Sequence, residues 1–279
     1  MRRLHLLAAC LVGLPVLVAV PVAVHEITTS AADAPSATAN ALPAAGHGRF
    51  SLLQMNLCMS GLASCLHYPQ VVAEAVSVIR TRKPNAVTLN EGCKGDVARI
   101  AAQTGYHSRF TTVPYRGRPL PCSSPGGRGV FGNAVLTRAA VGGSAAGRFT
   151  AEDALEQRRW LCVTTTRPVT VCTTHLEATT SLATIVVRHQ QCAELADVLA
   201  ARARRGPTIA AGDINALSSC APPGMWTLTD ERAEQKPGLQ QVYGDAARFL
   251  NPVARVVGAT STDHDFLLVT SRLARGSSP

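Results

Sequence analysis

Nowhere in this 279-residue chain do two cysteines stand in C-x-x-C spacing, although there are nine. That absence argues against a zinc site held by sulfur. No internal repeat is visible, so nothing points to a solenoid or a propeller. Lysine is scarce: Lys83, Lys94 and Lys236 are the whole set among 27 basic residues. No loop after the N-terminal segment is apolar enough to dock on a membrane, which weighs against a lipid substrate.

What is present first is an export pattern. "MRR" is a short basic start, and Leu4 to Val24 is apolar apart from His5. Small residues follow, at Val22-Ala23-Val24 or Ser30-Ala31-Ala32, that suit a signal peptidase. Residues 1–32 are therefore expected to be a signal peptide, with an uncleaved anchor as the alternative. Residues 33–48 are rich in Ala, Ser, Thr and Pro and read as a linker. Residues 49–279 are expected to form the domain, secreted and monomeric. Removing Cys10 with the signal leaves eight cysteines, an even count that fits disulfides in an exported chain. Cys162 and Cys172 flank an Arg-Pro turn symmetrically and can face each other across a hairpin. Cys58 with Cys65 would close a short loop.

The formal net charge is +9. It survives loss of the first 47 residues, which carry Arg2 and Arg3 against Glu26 and Asp33. Such a charge favours polyanions: nucleic acid, phosphorylated polymers or anionic lipid. Solubility alone is the plainer reading of the same number.

Residues 50–58 read as a buried strand. Val71, Val72, Ala75, Val76 and Ile79 have helical spacing, with Pro69 at the start and Pro84 after the end. Residues 85–93 give a second strand, and "DVARIAAQTGY" a helix stopped by Gly105. Strands are expected over 130–138, 158–166, 168–178, 208–215 and 262–273, with a long helix over 186–205. Strands alternate with helices, yet one pair is a hairpin, which predicts a mixed α/β layered fold.

Polar residues recur where those strands end. Asn56 ends the first, Glu91 the second, and His175 lies late in the hairpin. Asp213 and Asn215 follow the later strand, and Asp263-His264 open the last. An i, i+2 spacing on extended chain would point Asp213 and Asn215 the same way. Carboxylates and amides suit a hard cation that keeps waters for its substrate. Phosphoester hydrolysis needs an activated water and neutralised phosphate charge, tasks that acids, amides and histidines can perform. Each residue alone is more simply a turn or surface residue. Their order along the chain is what shifts the balance.

"LLQMNLC", "AVTLNEGC", "GRGVFGNAVLTR", "TTHLEA", "AAGDINA" and "STDHDFLLV" resemble, in order, the motifs of the endonuclease/exonuclease/phosphatase superfamily. The resemblance covers residues 50–273. It implies a four-layer α/β sandwich, with two mixed β-sheets face to face and helices outside. It also implies a divalent cofactor, magnesium with manganese or calcium as alternatives. Asn56, Glu91 and Asp263 would belong to the metal site, Glu91 foremost. His175 would bond the scissile phosphate, Asp213 would orient or deprotonate the attacking water, and Asn215 would grip a phosphate oxygen. His264 would serve in acid/base catalysis or phosphate stabilisation.

One departure stands out. Members carry an aspartate before the last motif that orients the final histidine, and the counterpart here is Gln240. An alternative alignment makes Asp265 the orienter and ends the chain before its catalytic histidine. The first alignment fits the C-terminal strand better. Arg116, Arg118 and Arg128 lie in a Gly/Pro-rich stretch that could meet a phosphate backbone, or equally be a disulfide-tied connector. The leading expectation is an exported metal-dependent phosphodiesterase acting on nucleic acid. The alternatives are a hydrolase of membrane lipid or phosphomonoesters, and a weakened polyanion-binding module.

Overall fold

The computed structural model describes residues 48–274 apart from Leu66 and Ala154. The expected signal peptide, and the expected linker up to His47, lie outside the described residues. In chain order the elements are β1 (Arg49–Asn56), α1 (Gln70–Arg82), β2 (Ala86–Cys93), α2 (Lys94–Thr104) and β3 (His107–Thr112). The two-residue strands β4 (Pro114–Tyr115) and β5 (Arg118–Pro119) follow, then β6 (Phe131–Thr137), β7 (Val141–Arg148), β8 (Arg159–Thr165) and β9 (Thr170–His175). Next come α3 (Leu182–Ala203), β10 (Thr208–Asp213), β11 (Met225–Thr229), β12 (Gln240–Asp245), β13 (Phe249–Val257) and β14 (Phe266–Leu273).

The apolar spacing that predicts α1 is the spacing that buries it: Val71, Val72, Ala75, Val76 and Ile79 all face inward. Lys83 ends the helix in the left-handed region (φ 49°), its N–H donating to the Ile79 carbonyl ahead of Pro84. Gly105 closes α2 in the same way. The long helix α3 begins four residues earlier than its apolar pattern suggests. Ser181 caps it, its Oγ accepting from the Thr184 N–H at 3.3 Å.

Two six-stranded sheets form, in the orders β13-β14-β1-β2-β6-β3 and β11-β12-β10-β9-β8-β7. Each is mixed, with one parallel pair: β1 with β2 and β9 with β10. Helices α1 and α3 are the crossovers that parallel neighbours require. Phe50, Leu52, Val135, Val163, Val171, Ile209, Val242 and Leu267 fill the space between the sheets. Burial of α1 and α2 covers the outer face of one sheet, and Leu195 and Leu199 of α3 pack on the other. The four layers are those expected.

Four disulfides are present. Cys162–Cys172 joins directly opposed residues of the β8–β9 hairpin, and Cys58–Cys65 closes its short loop. The remaining cysteines pair as Cys93–Cys122 and Cys192–Cys220.

Candidate active site

Side chains alternate along a strand, so one face of each strand looks into the inter-sheet space. In β1 that face reads Phe50, Leu52, Gln54, Asn56; in β9 it reads Val171, Thr173, His175; in β10, Ile209, Ala211, Asp213. Apolar residues therefore fill one end of the interior, and amides, acids and imidazole fill the other. The backbone does the rest of the positioning. Strict alternation would turn Glu91 toward the helices with Leu89, but the ladder shifts register between Leu89 and Gly92 and Glu91 takes φ 54°. The bulge swings its carboxylate to Asn56. At Gly212 a Cβ would lie 2.0 Å from the Thr174 carbonyl oxygen, so only glycine lets β10 run this close to β9. That close approach sets Asp213 opposite His175.

Asn56 is the hub. The Cys58 N–H donates to its Oδ1 at 3.1 Å, which leaves its amide hydrogens for Glu91 Oε1 and Asp213 Oδ2, both at 2.9 Å. His175 Nδ1 stands 3.8 Å from Glu91 Oε1, and its Nε2 stands 4.0 Å from Asp213 Oδ2. His264 Nε2 approaches the same Asp213 oxygen at 3.4 Å. Five of the residues read from the sequence thus meet in one cluster.

Burial presses the Glu91 carboxyl up to about 7, with Glu156 and Asp213 adding repulsion and the Asn56 bond opposing. His175 is held well below the usual histidine range by burial, then by the Arg158 guanidinium, by any charge on the neighbouring His264 ring, and by Lys236. His264 is lowered by burial too, against the pull of Asp213. Both rings are therefore neutral near pH 7.

Four expectations need correction. Asn56 turns its NH2 group to Glu91 and Asp213 while its Oδ1 accepts the Cys58 N–H, so in this structure it holds the two carboxylates. Asp263 is not gathered with Glu91; Lys236 Nζ binds it at 2.5 Å, and its other oxygen lies 3.9 Å from His264 Nε2. Asn215 leaves the strand in the left-handed region (φ 54°), so the i, i+2 rule fails there. Its amide donates to the Leu176 carbonyl at 3.1 Å, and its N–H to Asp213 Oδ1 at the same distance.

The fourth concerns the arginines. Arg128 is only 3% exposed. It bonds Asp96 at 3.0 Å and the carbonyls of Met59, Ser123 and Pro125, with its guanidinium 4.8 Å from the Tyr68 ring centroid. The Cys93–Cys122 disulfide ties its loop down, so the connector reading holds for this residue. Arg116 and Arg118 are exposed on the β4–β5 hairpin. That hairpin pairs Tyr115 with Glu156, whose carboxylate bears on Glu91.

Several residues escaped sequence reading. Arg158, buried, faces Glu156 at 2.8 Å beside the site. Lys236 reaches both Asp263 and His264. Gln54 extends a buried amide chain to Gln240, the residue expected from the sequence beside the final histidine; the Gln240 Nε2 lies 3.0 Å from His264 Nδ1. The signal for Gln54 was available: it is a polar residue on the inward parity of β1.

The donor set fits a hard divalent cation. Burial first, and then the neighbouring carboxylates Glu156 and Asp213, push Glu91 toward neutrality, and a cation would reverse that pressure. All three groups offer oxygen, and none of the cluster offers a free thiolate, because Cys58 and Cys65 beside Asp263 are joined.

A sandwich whose strand ends present acids, amides and neutral imidazoles at one point is a phosphoester-hydrolase scaffold. The chain belongs to the Endonuclease/Exonuclease/phosphatase family, which residues 56–279 match. Among solved structures it is similar to an endonuclease/exonuclease/phosphatase from Beutenbergia cavernae, at 21% identity and TM-score 0.62, covering 82% of this chain and 72% of that one. The human Nocturnin catalytic domain with bound sulfate is similar at 16% identity and TM-score 0.63, with 81% and 94% covered. D. rerio TDP2 complexed with a single-strand DNA product is similar at 14% identity and TM-score 0.57, with 80% and 98% covered. At these identities the likeness shows the fold. No match was found among curated proteins.

Proposed function

We propose that the chain is an exported, divalent-metal-dependent phosphodiesterase that cleaves nucleic acid, with the strand-end cluster as its active site. The observation that carries this reading is the meeting of Glu91, Asp213, His175 and His264 around the amide of Asn56. Four disulfides support an oxidising destination. Among the described residues no helix is long and apolar enough to cross a membrane.

Glu91 would hold the cation, helped by Asp213 and Glu156; when bound, the cation supplies charge neutralisation at the phosphate. Asp213 keeps Oδ2 beside both imidazoles, where a carboxylate can align a water for in-line attack and take its proton. His175 and His264, neutral and buried, are placed to donate hydrogen bonds to phosphate oxygens as charge builds in the transition state. Asn56 keeps the two carboxylates apart and oriented. Asn215 donates one amide hydrogen to the Leu176 carbonyl, and its second would be the one offered to a further phosphate oxygen. The net charge of +9 and exposed Arg116 and Arg118 support a polyanionic substrate.

The test is a substrate panel on the oxidised full chain: supercoiled plasmid, RNA, sphingomyelin vesicles and a phosphomonoester, each with magnesium and with chelator. Metal-dependent cleavage confined to the nucleic acids is expected. Turnover of vesicles or monoester alone would reassign the substrate.

A further inference from the structure

Behind the site runs a file of side-chain amides whose direction is set by the backbone. The Asp213 N–H donates to Asn90 Oδ1 at 2.8 Å, and Asn90 Nδ2 donates to the Thr174 carbonyl at 2.9 Å. A backbone N–H can only donate and a carbonyl can only accept, so Asn90 has one orientation. Its Oδ1 also receives Gln54 Nε2 at 2.7 Å, while Thr88 Oγ1 donates to Gln54 Oε1 at 2.6 Å. Gln54 is thereby fixed. Its second amide hydrogen goes to Gln240 Oε1, at 2.7 Å. Gln240 must then turn its NH2 group to His264 Nδ1, 3.0 Å away.

An NH2 group cannot accept, so Nδ1 carries the lone pair and the ring proton sits on Nε2. Two groups compete for Nε2. Asp213 Oδ2, 3.4 Å away and already accepting from Asn56, can take a further bond there only if Nε2 donates, and Lys236 Nζ at 3.2 Å could bond it only if Nε2 accepted. With Nδ1 already accepting, a neutral ring has no second lone pair to offer, and the ammonium has the Asp263 carboxylate as its partner. The contest goes to Asp213.

We propose that Asn90, Gln54 and Gln240 are positioning residues that lock His264 as the Nε2–H tautomer, making it a hydrogen-bond donor to substrate oxygen rather than a base acting through Nε2. An aspartate at 240 would do the reverse, drawing the proton to Nδ1 and freeing the Nε2 lone pair. The relay thus assigns the water's proton to Asp213 alone. What His264 donates to rests on the phosphodiesterase reading; the tautomer does not.

The test is a two-bond 1H–15N correlation spectrum of the histidine-labelled full chain at mildly alkaline pH, with His264→Gln to assign the ring. A pyridine-type Nδ1 and a pyrrole-type Nε2 are expected. Gln240→Glu should exchange the two, and Gln54→Leu should leave a mixture. A wild-type ring with Nδ1–H, with both nitrogens protonated, or with both tautomers populated would overturn the proposal, whatever the variants do. Nicking activity separates the two readings: inactive protein with the Nε2–H signature counts against the phosphodiesterase alone, and active protein with Nδ1–H counts against the relay alone.

Discussion

The side chain of Asn90, on one sheet, accepts the backbone N–H of Asp213, on the other, at 2.8 Å. With the bonds from Asn90 to Thr174, Gln54 to Gln240 and Asn56 to Asp213, it fastens the two sheets where the candidate site opens. Replacing Asn90 by leucine takes the side-chain partner from that N–H and removes one partner each from the Thr174 carbonyl and the Gln54 amide, which keeps Gln240. A loss of about 1–3 kcal/mol is expected, the usual cost of orphaned buried polar groups. Urea denaturation of Asn90→Leu checks it; unchanged stability would mean the polar layer contributes nothing net.

Gly212 should tolerate no side chain. Alanine there meets the Thr174 carbonyl, and backbone cannot yield as a flexible side chain does. Gly212→Ala is expected to cost about 1–3 kcal/mol and to abolish cleavage by moving Asp213 off His175. A crystal structure of the variant would show whether β10 has shifted.

The arginines separate into two kinds. Arg128→Met takes from the buried Asp96 its buried partner and leaves it only the half-exposed Arg99 at 3.6 Å and the Tyr68 hydroxyl at 3.5 Å. Losing one side of a buried pair typically costs about 3–5 kcal/mol, and should be read as a fall in Tm. Arg116→Glu with Arg118→Glu should leave Tm alone and weaken binding of a DNA duplex. The slope of log affinity against log salt should flatten by about 0.9 for each phosphate that is no longer neutralised. An unchanged slope would remove the hairpin from the substrate interface.

Much of this was legible in the sequence, for identifiable reasons. The helix α1 and the buried strands carry clean periodicity, and the strand-end acids and histidines belong to contiguous motifs. The strands that escaped do not announce themselves. In β7, Gly142, Gly143 and Gly147 interrupt any alternation, and Gly147 is needed because a Cβ there would sit 2.5 Å from the Trp160 ring. In β13, Pro252 follows Asn251 at φ 50°, and the ladder breaks between Leu250 and Val253. The misplacements at the site have one cause in common. Which atom of Asn56 faces Glu91, where Asn215 points and what Arg128 bonds all depend on backbone groups from other segments, and no local pattern records them.

Asp230 gives the protein a pH-dependent weakness. Burial raises its carboxyl to about 7 from 3.8, against a backbone bond from Gln240, and its Oδ2 has no hydrogen-bond partner. A raised carboxyl means the folded state holds the proton more tightly. Its contribution is fully present below about pH 4 and is lost as pH rises through about 7. Asp230→Asn has no proton to lose. Its stability should match the wild type near pH 4 and exceed it above pH 7, by on the order of 1–3 kcal/mol. Parallel melting curves across that range check the sign.

The central claim is that the cluster around Asn56 hydrolyses phosphodiesters, and plasmid nicking by the oxidised full chain with magnesium tests it most directly. Wild-type protein should relax supercoiled DNA. Asp213→Ala should lose that activity by several orders of magnitude while keeping its fold by circular dichroism, and Arg116→Glu with Arg118→Glu should lose only part of it. Nicking that persists undiminished in folded Asp213→Ala protein would contradict the account.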